Sequence, residues 1–92
     1  MLKVKISYPV ILTPDEKGYI VYIPDFDANT QGEDLTDAVR MARDAIGLMG
    51  IDMEDDKKPL PIPSDVKNIK SKKDDIVVLV DVDFSEYRKK MN

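Results

Sequence analysis

The chain contains no cysteine, no histidine and no tryptophan. Without cysteine there can be no disulfide, no thiolate nucleophile and no Cys-based zinc site, and a reducing compartment is compatible. Without histidine the commonest general acid–base near neutral pH and the commonest transition-metal ligand are both missing, so carboxylates, lysines and tyrosines must carry any chemistry. Glycine is scarce, and residues 18, 32, 47 and 50 match no phosphate-cradling fingerprint. The longest uninterrupted apolar run, Ile76 to Val80, is far below the roughly 20 residues of a membrane span. Met1-Leu2-Lys3 opens no signal-peptide pattern, so a cytoplasmic protein with no membrane contact is expected.

What is present fits one small domain. Ninety-two residues, 42% hydrophobic and 35% charged, suffice for a single modest core with a solvated exterior. Fourteen basic against eighteen acidic side chains give a net charge of −4, which disfavours unaided binding to a nucleic-acid backbone and suits a basic partner. The charge is unevenly divided: residues 1 to 56 carry twelve acids and five bases, whereas residues 57 to 92 carry six acids and nine bases.

From Leu2 to Leu12 apolar and polar residues alternate, with Val4, Ile6, Tyr8, Val10 and Leu12 on one face, the pattern of a half-buried strand. Pro9, which lacks an amide donor, predicts a sheet edge or a bulge there. Thr13 to Gly18 has the residues of a turn, Tyr19 to Ile23 completes a hairpin, and Ala28 to Gln31 is expected to add a third strand. Asp34, with Asp37 three residues on, predicts the start of a helix running from about Leu35 to Met49, with Gly50 as its stop. Its apolar arc includes Leu35, Ala38, Ala42, Ala45, Ile46 and Leu48. An exposed proline- and lysine-rich connector follows, with Ser64 expected to cap one turn through Ile69 that faces Val66 and Ile69 inward. Ile76 to Asp83, apolar on both faces for five residues, predicts a strand inside the sheet. The reading is therefore α+β, β-β-β-α-β, with residues 1–84 as one domain and 85–92 as an exposed basic tail.

Few groups could carry chemistry. Asp25 and Asp27, with Asp81 and Asp83, form the densest carboxylate set, but acids at strand ends are ordinarily solvated and no metal site is expected. No nucleophile–base pair can be assembled, so no catalytic residue is assigned. Tyr8, Tyr19 and Tyr22 are expected to pack and not to stack on bases, because Tyr19 and Tyr22 fall on opposite faces of one strand. Met41, Leu48 and Met49 extend the helix's apolar arc, and a homo-oligomer is expected.

Several features in order resemble one family. Tyr8-Pro9, the turn ending Gly18-Tyr19, Tyr22-x-Pro24-Asp25, then Gly32 followed by Asp34-Leu35-x-Asp37-Ala38 with Ala42 and Ala45, are similar to the antitoxin domain of HicB-type toxin–antitoxin pairs. The likeness continues through Pro59 to Asp65 and the last hydrophobic strand. It implies a degraded ribonuclease-H-like fold, no cofactor, and a role in binding a small basic ribonuclease toxin, HicA, and occluding its active site. Family members often carry Pro-Gly and a small residue after the Pro-Asp pair, whereas Phe26-Asp27-Ala28-Asn29 stands here. Many continue into a DNA-binding module where this chain has Tyr87-Arg88-Lys89-Lys90, so no sequence-specific DNA binding is expected of this chain alone.

The expected partner surface is acidic around an aromatic anchor: Asp25, Phe26 and Asp27 after the second strand, with Glu33 and Asp34 entering the helix. A metal-dependent nuclease of ribonuclease-H type is the enzyme alternative, but Leu2 to Leu12 holds no acid where such folds place one. An orphan structural or oligomerisation domain is the other alternative. The protein should cleave neither RNA nor DNA, with or without Mg²⁺ or Mn²⁺. Metal-stimulated cleavage that disappears in Asp81→Asn or Asp83→Asn would overturn this.

Overall fold

The computed structural model describes residues 5–90; the expected strand positions Leu2 and Val4, and the end of the tail at Met91 and Asn92, lie outside them. Four strands, β1 (Lys5–Asp15), β2 (Gly18–Ile23), β3 (Ala28–Gly32) and β4 (Ile76–Asp83), form one antiparallel sheet in the order β3-β2-β1-β4. Helix α1 (Leu35–Asp55) lies against β2, β3 and β4, and α2 (Phe84–Lys90) packs on α1. The inward residues of β1 are those the alternation marks: Tyr8, Val10 and Leu12 are fully buried, with Val21, Ile23, Val80 and Val82 beside them and Ala38, Ala42 and Ile46 of α1 above.

One expectation about neighbours is reversed: β4, expected inside the sheet, is an edge strand. β1 lies between β2 and β4, yet at Pro9 it is open on one side, as the proline led one to expect. The Asp81 carbonyl accepts a hydrogen bond from Arg43 Nε at 2.9 Å, so the odd-numbered residues of β4 turn their backbone groups away from β1. By alternation, even-numbered residues of β1 bond to β4 and odd-numbered ones to β2. Asp15 opposite Gly18 across a two-residue loop has the same parity. Pro9 therefore directs its missing donor to the β2 side, where pairing has already ended at Ile11–Tyr22. Pro14 directs its own to the β4 side, beyond the last pair, Leu12–Ile76. Each proline sits where β1 has lost a neighbour on that side, which is how an interior strand carries two of them. β4 reads as interior because it is apolar on both faces, yet its outer face is open and Leu79 is 59% exposed.

The hairpin turn is held by Asp15, whose carboxylate accepts from the Lys17 amide at 2.9 Å. Gly18 has φ of +141°, and a Cβ there would lie 2.3 Å from the Gly32 carbonyl oxygen, so both conformation and space require glycine.

Helix α1 begins as expected, with Asp34 Oδ1 accepting from the Asp37 amide at 2.8 Å. It does not stop at Gly50. It runs to Asp55 and closes in a Schellman arrangement, Lys57 N–H to the Glu54 carbonyl and Lys58 N–H to the Met53 carbonyl, with Lys57 in the left-handed region at φ 59°. Gly47 and Gly50 are interior packing positions. A Cβ on Gly50 would fall 2.1 Å from Phe84 Cε1, and one on Gly47 would fall 2.6 Å from the Tyr87 ring. The segment after residue 84 is accordingly no free tail: α2 lays Phe84 and Tyr87 into these two notches, and Tyr87 O–H donates to Asp44 at 2.6 Å. Leu35 and Leu48, expected inside, are 44% and 50% exposed, because the helix turns its small Ala38–Ala42–Ile46 edge to the sheet.

Ser64 does not cap the connector's turn. Asp65 does so for a short 3₁₀ turn, Val66–Asn68, by accepting from Lys67 N–H, and Val66 faces solvent.

Alanine at position 50 would gain roughly 1 kcal/mol of helix propensity. Displacing the buried Phe84 ring outweighs that gain, so Gly50→Ala should be destabilising by about 1–3 kcal/mol. Denaturant melts of Gly50→Ala, Phe84→Ala and the double variant should be strongly non-additive, since the cavity left by Phe84 accommodates the new methyl. Additive effects would mean that the ring does not occupy the glycine notch.

Candidate functional site

The residues singled out from the sequence fall into two groups. After β2, Pro24–Phe26 makes one 3₁₀ turn closed by Asp27 N–H to the Pro24 carbonyl, with Asp27 in the left-handed region at φ 46°. Asp25 is not a free surface acid: its carboxylate accepts from both the amide and the hydroxyl of Ser64. Phe26 is half-buried with its ring edge-to-face on Tyr8, centroids 4.9 Å apart. Tyr8 O–H in turn donates to the Pro61 carbonyl at 2.8 Å. Asp25 and Tyr8 thus hold the proline-rich connector against this end of the sheet. Asp27 is exposed and accepts from Tyr22 O–H at 3.0 Å, which raises the tyrosine's pKa.

At the other end of β3, Glu33 and Asp34 are exposed. Asp34 caps α1, and Asp37 reaches back to accept from the Glu33 amide at 2.9 Å while pairing with Arg40 at 2.6 Å. The Glu33 amide, then Arg40, hold the Asp37 carboxyl below its usual range. A recess of about 410 Å³ opens here between the hairpin turn and the helix start, walled by Asp15, Glu33 and Asp37 with Lys17, Tyr19 and Met41.

β3 separates the two groups. Asp27 to Glu33 spans six residue steps, about 20 Å of extended chain. Exposed Asn29 and Gln31 lie between them on the sheet's polar edge.

The other acids considered for chemistry are engaged elsewhere. Asp81 sits between Arg43 at 3.2 Å and Lys5 at 4.0 Å. Asp83 accepts from the amide and hydroxyl of Ser85. Among the described residues no three acids converge as a metal-holding group, and no helix is long and apolar enough to cross a membrane. The sequence reading missed Ser64, the Tyr8 hydroxyl and Arg43 as organisers, because their partners stand 39, 53 and 38 positions away.

Burial, and secondarily the nearby Asp25 charge, push the Tyr8 hydroxyl up to about 12. A raised folded-state pKa contributes stability that is intact below the unfolded value of about 10 and is lost as pH rises toward the folded one. Denaturant midpoints measured from pH 9 to about 12 should fall less steeply in Tyr8→Phe than in the parent. Equal slopes would mean that ionisation of the buried Tyr8 hydroxyl does not contribute to the alkaline transition.

Comparison with known proteins follows the same outline. A comparison with curated proteins gave no match. A solved toxin–antitoxin complex from Streptococcus pneumoniae contains a chain with 27% sequence identity and a TM-score of 0.83, covering 91% of this chain and 73% of that one. The family model for the HicB-like antitoxin of bacterial toxin–antitoxin systems matches residues 8–92. Spanning the interior strand, the capped helix, the connector and α2 alike, that match places the chain in the HicB-like antitoxin family.

Proposed function

We propose that the chain neutralises a small basic ribonuclease toxin of the HicA type by covering its active site, and has no catalytic activity of its own. Family membership carries the antitoxin role. The observation that favours this target chemistry is the disposition of charge along the β3 edge: acids at both ends, a polar margin between them, and a carboxylate-walled recess at the helix end. A ribonuclease holds RNA through positive charge, and a surface able to compete for those cations needs carboxylates in reach of several of them. A toxin segment laid along this margin would meet Asp25, Phe26 and Asp27 at one end and Glu33 and Asp34 at the other. In this arrangement Asp25, Phe26 and Asp34 shape the surface through their internal bonds, and Asp27 and Glu33 offer charge to the partner.

Glu33→Lys combined with Asp27→Asn should slow association with the toxin by roughly tenfold or more at low ionic strength, with the difference shrinking at high salt. Asp56→Lys, beyond the far end of α1, should change little. Calorimetry and an RNA-cleavage assay against the toxin test both halves. Binding without inhibition would refute occlusion, and no binding at all would favour the oligomerisation domain.

A further inference from the structure

The polar margin at β3 offers backbone groups as well as side chains. Because the odd-numbered residues of β1 bond to β2, Thr13 to Ile20 and Ile11 to Tyr22, the even-numbered residues of β2 turn their backbone groups toward β1. The odd-numbered ones are left for β3, where Tyr19 lies opposite Gly32, Val21 opposite Thr30 and Ile23 opposite Ala28. The N–H and C=O groups of Asn29 and Gln31, both exposed residues, therefore point out of the sheet. The amides that flank this stretch are taken: Asp27 N–H donates to the Pro24 carbonyl and Glu33 N–H to Asp37. Within β3 there is no lysine, no proline and no bulge, the devices that ordinarily keep an edge strand from pairing.

We propose that an extended segment of the basic toxin adds to β3 as a fifth strand, exchanging main-chain hydrogen bonds with Asn29 and Gln31 and setting a cationic side chain beside each of Asp27 and Glu33. This rests on the toxin reading above and gives it a mode of binding. Charge selects the occupant. A second copy paired through its own β3 about a two-fold axis at Thr30 would set Asn29 opposite Gln31 and, two pairs further out, Asp27 opposite Glu33, so each end of the junction would bring two carboxylates together. The same acids repel a nucleic-acid strand. A peptide segment with a lysine or arginine at each end meets opposite charge at both. The cross-strand rows of the sheet end at this margin in Asn29, Thr30 and Gln31, so the centre of the segment is polar or β-branched. Main-chain bonds supply the contact, and the two end charges fix its register.

The test uses the whole chain with the HicA-type toxin. On complex formation, hydrogen exchange should slow by roughly tenfold or more at the Asn29 and Gln31 amides and stay unchanged at Val77 and Leu79, whose backbone groups face out of the opposite margin. Gln31→Pro, which removes an outward donor and no bond within the chain, should weaken binding by about tenfold or more. Asn29→Ala combined with Gln31→Ala keeps both donors and should weaken it by less than about threefold. Circular dichroism identifies any variant that fails to fold, and the exchange measurement on the parent chain needs none. A complex that inhibits the toxin while both amides exchange freely would overturn strand addition and leave occlusion standing. So would binding lost in the alanine pair and kept in Gln31→Pro, or protection at Val77 and Leu79 instead. The absence of any complex would overturn strand addition and the toxin reading together.

Discussion

The double ladder of β1 is the constraint on which the other elements depend. Its even-numbered residues bond to β4 and its odd-numbered ones to β2, while the even-numbered side chains face α1 and build the core. A one-residue slip would turn Tyr8, Val10 and Leu12 to the open face and bring Pro9 and Pro14 against strands that need donors from them. Burial and backbone pairing thus select the same register. The prolines penalise the alternative more than they stabilise the native one.

Once β1 is set, the hydrogen bonds that place the connector are long in sequence. Tyr8 and Asp25 hold the connector at Pro61 and Ser64, and Thr13 holds its far end through Asp75 at 2.7 Å. The chain is thereby delivered to the start of β4 in antiparallel sense. The exposed ion pairs, such as Arg88 with Glu54 and Asp55, add little individually. The closer fit is apolar: two glycines on α1 admit two aromatic rings of α2, joining the end of the chain to the middle of the helix.

What was legible in the sequence was local. The hairpin, the inward face of β1 and the Asp34 cap follow from alternation, turn residues and side-chain reach over a few positions. Periodicity reports which face of a strand is apolar and is silent on which strand lies beside it, so β4, apolar on both faces, read as interior although it is an edge strand. Gly50 resembled a helix stop because the ring that requires it stands 34 residues later, and the true stop at Lys57 carries no glycine. For the candidate site, the acids could be found from their places beside turns. That Asp25 is bound to Ser64 and Asp34 to the helix, while Asp27, which accepts from the Tyr22 hydroxyl, and Glu33 stay exposed, depends on partners that composition cannot rank.

The strand order carries a geometric consequence for how the two margins of the sheet present themselves. Three interstrand spacings separate β3 from β4, about 14 Å, and the accumulated twist turns one margin roughly 65° from the other. A partner laid along the polar β3 margin would therefore leave the apolar β4 margin open, with β2 and β1 standing between the two.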